Sequence, residues 1–157
     1  MKTQTKSTNK EKEHLKCNFL GLWRNQHGSE LNITSTENGK LSGKFKTGVG
    51  ACDSDEEHDV TGFVADGLIA FSVDFGKYHS LTSWTGQHVP ENGEDKIETM
   101  WHLARTLPEK IEKDAFWTGV WTGADSFYRV DPMVLRNLEA LERPLLIPSY
   151  PLRAALK

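Results

Sequence analysis

Length, composition and charge exclude several broad classes of protein. The chain has 157 residues, which suits one ordinary domain, and its formal net charge is -3. This balance offers no basic surface for a phosphate backbone, and the longest apolar stretches are only strand-sized. We therefore expect neither nucleic acid nor a membrane among the partners.

The N-terminal residues 1–16 are polar and lysine-rich, without hydrophobic periodicity, so we expect them to form a disordered tail. Their positive charge resembles the start of a secretion signal, but no apolar segment follows it. We expect either that a signal has already been removed or that the protein stays inside the cell.

The chain has the composition of a sheet protein, because five Trp, seven Phe and three Tyr with thirteen Gly suit many strands joined by turns, and residues 17–130 are the expected barrel domain. Short alternating runs follow one another, and their connections are too short for parallel crossovers. The predicted strands span residues 19–25, 30–35, 41–46, 60–64, 68–75, 81–89, 96–103 and 117–129. Such strands can close around one small ligand, so the predicted fold class is all-β, an eight-stranded antiparallel up-and-down β-barrel.

The character of the chain changes in residues 131–157. Asp131 and Pro132 are suited to begin a short helix, as its cap and first-turn residue. Pro144 ends that helix, and the proline-broken segment after it is expected to be extended. We expect this C-terminal extension to pack as an appendage on the barrel or on a neighbouring chain.

Alternation along the strands predicts which side chains face the barrel interior. Trp84 is too large and apolar for the outer face, so Ser80 and Thr82, which share its parity, should also point inward. The same reasoning turns a larger set inward: Trp23, Asn25, Ile69, Phe71, Val73, Phe75, Thr99, Trp101 and Leu103. Buried hydroxyls and amides cost free energy without partners, so either they satisfy one another or a ligand satisfies them.

No sequence pattern indicates catalysis or metal binding. The acidic run at 53–59 fails as a calcium-binding loop, because His58 and Val64 stand where Gly and Glu are needed. The six His match no zinc spacing, and no nucleophile-elbow, phosphate-loop or dinucleotide motif occurs. Cys17 and Cys52 should lie at opposite ends of the barrel, which favours free thiols or a bond between chains. We expect no enzyme, no metal site and no cofactor.

Five stretches, in chain order, resemble the avidin and streptavidin family. The first hairpin of avidins is similar to CNFLGLWRNQHGSELNI, the third strand and its loop to LSGKFKTGVG, and the sixth strand to SLTSWTGQ. The seventh strand is similar to IETMWHL and the last to FWTGVWTGADSFYR. The resemblance covers residues 17–129, and it implies a non-enzymatic protein whose ligand is biotin.

The resemblance also implies a set of polar contacts to biotin. They are Asn25, Ser29 and Phe45 at the ureido oxygen, Thr47 and Asp125 at the ureido nitrogens, Thr82 at the ring sulfur, and Ser80 with the backbone N–H of Ala51 at the valerate carboxylate. Donors around one carbonyl oxygen, with a carboxylate behind an N–H group, polarise the ureido group and strengthen every bond in the set.

Hydrophobic walls and a shared residue complete the implied site. The walls are Val49, Phe75, Trp84, Trp101 and Leu103. Trp117 resembles the Trp that one subunit of the family lends to its neighbour's pocket, which favours a homotetramer over a dimer. The resemblance further implies a secreted or periplasmic protein.

Two positions depart from the family pattern. Phe45 lacks the hydroxyl of the third donor, which should cost about 1–3 kcal/mol of binding free energy if no water replaces it, and Phe75 replaces a Trp at a cost of about 1 kcal/mol. Together they predict binding about 30- to 1000-fold weaker than in a relative with the full pattern. The alternatives to biotin binding are a barrel that carries another small molecule and an oligomeric scaffold with an incidental pocket.

Overall fold

The structure is a computed structural model that describes residues 17–50, 55–108, 113–131 and 133. Its strands are β1 (Gly21–Asn25), β2 (Glu30–Ser35), β3 (Lys40–Lys46), β4 (His58–Ala65), β5 (Leu68–Asp74), β6 (Ser80–His88), β7 (Lys96–Arg105) and β8 (Val120–Arg129). Each strand pairs antiparallel with the next, and β8 returns to pair with β1. The predicted eight-stranded up-and-down barrel is confirmed.

Tight turns follow the local chemistry of the chain. Asp66 and Gly67, with φ angles of 48° and 83°, join β4 to β5. Two successive residues with positive φ match the right-handed twist of the flanking strands, and glycine and aspartate tolerate this conformation. The turn thereby fixes the β4–β5 register and, with it, which side chains enter the barrel.

Side-chain parity in the barrel is as predicted. The inward set is buried: Trp23, Asn25, Ile69, Phe71, Val73, Phe75, Thr82, Trp84 and Thr99. Ser80, Trp101 and Leu103 have the same parity but lie near the rim, where they are only half-buried. His102 is exposed on the outer face, as the alternation requires.

The two ends of the barrel differ. The connections after β1, β3, β5 and β7 meet at one end, called here the open end, and the chain enters β1 at the other, the closed end. At the closed end the Arg129 guanidinium lies 4.2 Å from the centre of the Trp23 ring and donates hydrogen bonds to Asp95, Leu20 and Asn18. These contacts hold the segment before β1 across the closed end.

Four predicted strand boundaries were wrong by two residues or more. β7 ends at Arg105 rather than at residue 103. β1 starts at Gly21 rather than at residue 19, and β4 starts at His58, two residues before the predicted start. β8 starts at Val120 rather than at residue 117, because Lys113–Gly119 forms 3-10 turns in which the Thr118 hydroxyl donates to Ala115 O at 2.8 Å. Local side-chain hydrogen bonding of this kind competes with strand pairing.

Several predictions lie wholly or partly outside the described residues. They concern the tail at 1–16, the thiol of Cys52 and most of the extension at 131–157, of which only Asp131 and Met133 are described. Cys17 is a free thiol, and burial is the main reason that its pKa is raised to about 11. Within the described ranges, no helix has the length and apolarity to cross a bilayer.

Candidate ligand-binding site

Several polar side chains are buried inside the barrel, and those of the first turn and of the segment after β3 lie at its open end. The buried members of this group are Asn25, Ser29, Thr47, Thr82, Thr99 and Asp125. They come from β1, the first turn, the segment after β3, and strands β6, β7 and β8. Because a buried polar atom without a partner is costly, the existing hydrogen bonds decide which donors and acceptors a ligand could still use.

Asn25 ends β1 and fixes the first turn. Its Oδ1 accepts hydrogen bonds from the backbone N–H groups of His27 at 3.0 Å and Ser29 at 2.8 Å. An Asn that bonds its own following backbone is a common way to hold a turn. With Oδ1 engaged twice, the Nδ2 amide is the part of Asn25 that can donate to a ligand.

Ser29 connects the first turn to the segment after β3. Its Oγ accepts a hydrogen bond from Gly48 N at 3.0 Å, so the hydroxyl proton is free to donate elsewhere. Gly48 packs so closely on the turn that a Cβ atom there would lie 2.6 Å from Gly28 C and 2.8 Å from Ser29 N. Only glycine allows this approach, which holds the Ser29 hydroxyl in one position.

Thr47 has the opposite hydrogen-bonding character. Its hydroxyl donates to Val49 O at 2.6 Å and accepts from Val49 N at 3.3 Å. Because the single hydroxyl proton is used, the remaining capacity of Oγ1 is that of an acceptor. Ser29 and Thr47 therefore present a donor and an acceptor, respectively, although both are hydroxyls.

The Asp125 carboxylate is 5% exposed and is held from two directions. Trp84 Nε1 donates to its Oδ2 at 2.8 Å, and Gln26 Nε2 approaches its Oδ1 at 3.2 Å. Thr99 Oγ1 donates to the backbone oxygen of Asp125 at 2.9 Å, and Gln26 Oε1 accepts from Ser126 N at 2.9 Å. An oriented carboxylate with unused lone pairs is a strong acceptor for a ligand N–H group.

Aromatic rings form the wall beside these polar groups. Phe71 stacks on Trp84 at 5.0 Å, and Phe45 contacts Trp84 at 5.1 Å and Phe75 at 6.1 Å between ring centroids. Trp101 lies over Gly123, where a Cβ atom would be 2.6 Å from Trp101 Cε2. The wall is therefore closely packed and preformed, as a small-molecule site requires.

The remaining predicted site residues lie at or beyond the rim. Ser80 is half-buried at the rim, beside a hollow of about 340 Å³ on the outer face, where the exposed residues Asp74, Leu81 and Ala104 are cross-strand neighbours. Leu103 is half-buried, whereas Val49 and Trp117 are 50% and 83% exposed. Ala51 lies outside the described residues. The structure thus brings together the predicted polar residues and inner rings but leaves Val49 and Trp117 open to solvent.

Sequence reasoning missed two residues of this region. Gln26 lies in a turn, and nothing in the local pattern shows that its amide crosses to β8. His58 is buried at the start of β4, and its ring centroid is 4.8 Å from that of Phe75. Counting back in twos from Val60 would have placed His58 on the inner face, had the strand been extended by two residues.

A closed barrel with buried donors, acceptors and indole rings at one end defines a binding protein for one small molecule. Residues 13–130 match the family model described as the avidin family. The chain therefore belongs to the avidin family.

Individual relatives agree with this assignment. Avidin-related protein 4/5 of Gallus gallus is 28% identical over 126 residues, which cover 73% of this chain and 79% of the relative. The crystal structure of xenavidin is 33% identical, covers 73% of this chain and 98% of its own, and superposes with a TM-score of 0.64. A single-site variant of shwanavidin in complex with biotin is 28% identical, with coverage of 73% and 99% and a TM-score of 0.58.

Proposed function

We propose that this protein binds biotin non-covalently at the open end of its barrel and catalyses no reaction. The proposal rests on the arrangement of hydrogen-bond donors and acceptors that the protein already holds at this end. Asn25 Nδ2 and the Ser29 hydroxyl can donate, whereas Thr47 Oγ1 and the Asp125 carboxylate can accept. A cyclic urea has one acceptor oxygen between two N–H donors, which is the complementary arrangement.

Asp125 has a second effect on the ureido group. A carboxylate behind one ureido N–H favours the charge-separated form, in which the oxygen carries more negative charge. Donors at the oxygen stabilise that form. The contact of Asp125 therefore strengthens the hydrogen bonds that Asn25 and Ser29 donate to the oxygen. Because backbone hydrogen bonds and Trp84 already orient these groups, little entropy is lost when the ligand binds.

The rest of the ligand is assigned by position along the barrel. Thr82 would lie near the ring sulfur and Ser80 near the carboxylate at the rim. The resemblance to avidins also assigns the backbone N–H of Ala51 to the carboxylate, and Ala51 lies outside the described residues. The apolar surface of the ligand would contact the walls, which are Val49, Phe75, Trp84, Trp101 and Leu103. Such walls supply most of the buried area, while the polar groups fix orientation.

Phe45 should make this binding weaker than in a relative that has a Tyr there. Its ring is 2% exposed and packs on Trp84 and Phe75, so it provides wall area without a hydroxyl donor. A lost hydrogen bond of this type is worth about 1–3 kcal/mol where no water or other donor replaces it, and the smaller ring of Phe75 about 1 kcal/mol more. We therefore expect an affinity about 30- to 1000-fold below that of a full-pattern relative.

Trp117 supports an oligomeric form of the site. Its side chain is 83% exposed in the single chain, which is unusual for an indole. We propose that Trp117 covers the pocket of a neighbouring subunit, in a homotetramer or a dimer. Membership of the avidin family also supports a secreted or periplasmic location, which fractionation of the producing cells would test.

Titration calorimetry with biotin tests the function directly. We expect saturable binding with one biotin per chain and a large rise in melting temperature with excess biotin. Asp125→Ala and Trp101→Ala should abolish most of that rise, because they remove the acceptor and one wall. Thr61→Ala, on the outer face of β4, is the matched control and should leave the rise intact.

Two results would contradict the proposal. One is the absence of heat and of any thermal shift with excess biotin, which would favour a barrel for another small molecule. The other is an equal loss of biotin binding in the Thr61 and Asp125 variants, because a loss unrelated to the pocket would point to general instability.

A further inference from the structure

His58 carries a buried nitrogen without a partner. Its side chain is on the inner face of β4 and 8% exposed, and its Nε2 atom is the buried side-chain nitrogen or oxygen that lacks a hydrogen bond in the described part of the chain. Leaving such an atom unpaired costs free energy in the ligand-free protein. An unpaired group of this kind in a native protein needs an explanation.

The surroundings of His58 place it beside the weakened part of the pocket. It is the cross-strand partner of Phe45, and directly opposed side chains on one face of a sheet lie within about 5 Å of each other at Cβ. Its ring centroid is 4.8 Å from Phe75 and 6.3 Å from Tyr78. The Tyr78 hydroxyl donates to Glu56 Oε2 at 2.8 Å, so that oxygen already has a partner for its proton.

We propose that His58 is a ligand-contacting residue, whose Nε2–H donates to the ureido oxygen of bound biotin directly or through one water molecule. This inference rests on the proposed function and deepens it, because it supplies the third donor that Phe45 lacks. A neutral imidazole donates from Nε2 in one of its two tautomers. A bridging water would carry the same hydrogen bond over a longer distance.

A histidine with a purely structural role would differ in how its substitution affects the affinity for the ligand. If His58 only filled space, replacing it by an apolar residue would leave ligand affinity unchanged. If His58 donates a hydrogen bond to the ligand, the same replacement removes an unpaired polar atom from the free protein and a hydrogen bond from the complex. Stability without ligand should then hold or rise while affinity falls.

His58→Leu and His58→Gln in the full chain separate these possibilities. Calorimetric titration should give at least a tenfold weaker affinity for biotin in the Leu variant, with an unchanged or higher melting temperature of the free protein. The Gln variant keeps an N–H donor on a side chain of similar reach, so it should retain most of the affinity. His102→Leu makes the same substitution on the exposed outer face and should change neither quantity.

A double-mutant cycle identifies the ligand atom involved. Phe45→Tyr introduces a donor that would compete with or replace that of His58 at the ureido oxygen, so its gain in affinity should be larger in the His58→Leu background than in the unaltered chain. Equal gains in the two backgrounds would overturn the proposal. So would equal affinity losses in the Leu and Gln variants, or an unchanged affinity in both. If the unaltered chain itself fails to bind biotin, the proposed function is wrong, and this inference, which rests on it, is wrong as well.

Discussion

Trp84 Nε1 donates a hydrogen bond to Asp125 Oδ2 at 2.8 Å inside the barrel. The two residues lie on β6 and β8, separated by β7, so the bond spans a strand of the sheet. It couples one indole of the wall to the carboxylate of the site, because each side chain fixes the other. Removing either one should therefore affect both the shape and the polarity of the pocket.

Trp84→Phe should keep a ring at this position but delete the donor to Asp125. The buried carboxylate then loses its 2.8 Å partner, and we expect the free energy of unfolding to fall by about 1–3 kcal/mol, with biotin affinity about tenfold or more weaker. Urea unfolding and calorimetric titration measure the two effects. Trp121→Phe is the control, since its indole is 46% exposed, and equal losses in both variants would refute this role of the bond.

Phe45→Tyr should slow the release of biotin. The added hydroxyl supplies a donor near the ureido oxygen, and a neutral hydrogen bond of about 1 kcal/mol corresponds to roughly a fivefold lower off-rate. Competition with labelled biotin measures the rate. Phe63→Tyr adds the same hydroxyl on the outer face, where Phe63 is 65% exposed, and should leave the off-rate of biotin unchanged. An unaltered off-rate for Phe45→Tyr would remove our account of the weakened polar contacts.

Gly123→Ala should displace the ring of Trp101. The new Cβ atom would be 2.6 Å from Trp101 Cε2, which is too close for two carbons, so the indole has to move. We expect at least a tenfold loss of biotin affinity and a shift in tryptophan fluorescence. The double variant Gly123→Ala, Trp101→Ala should bind biotin only slightly more weakly than Trp101→Ala alone. Fully additive losses of affinity would show that the glycine does not act through Trp101.

Asp95 should make the closed end sensitive to acid. The hydrogen bond from Arg129, and after it that from His88, lowers the pKa of Asp95 against the opposing effect of burial. A lowered folded-state pKa contributes stability above the unfolded value of about 4, and this contribution is lost as the pH falls through the folded-state pKa. Since Asp95 is 41% exposed, we expect about 1 kcal/mol or less.

Asp95→Asn tests this contribution. Urea unfolding should give a larger difference in stability between the variant and the unaltered chain at pH 7 than at pH 2.5 (about one unit or more below the unfolded pKa). Asp59→Asn serves as the control, because Asp59 pairs with Lys44 on the outer face and its side chain is 88% exposed. The same stability difference for Asp95→Asn at both pH values would argue against the ion pair.

Strand parity made much of the site predictable from the sequence. Trp84, Thr82 and Asn25 were placed inward because alternation in a strand fixes side-chain direction, and they are buried. The roles of Thr47 and Asp125 came only from resemblance. The hydrogen-bonding character of Thr47 depends on a local turn contact with Val49, and that of Asp125 on Trp84 from another strand, and strand alternation predicts neither contact.

The features that escaped prediction depend on tertiary contacts. Gln26 reaches β8 from about a hundred residues away in sequence, and no local pattern encodes such a contact. The last strand is predicted to begin at residue 117, but Lys113–Gly119 forms 3-10 turns, in which the Thr118 hydroxyl donates to Ala115 O. The start of β4 was missed because the acidic segment before it resembles a solvated loop.

The β1–β8 seam also determines when the site can exist. Trp23 pairs with Arg129 and Asn25 with Phe127, so the two strands that seal the barrel are separated by nearly the entire domain. Contacts of such high sequence separation form late, since a long loop has to close first. On the ribosome, the chain cannot assemble Asn25 beside Asp125 until the final strand has emerged, and ligand capture by a nascent chain would report that synthesis of the barrel is complete.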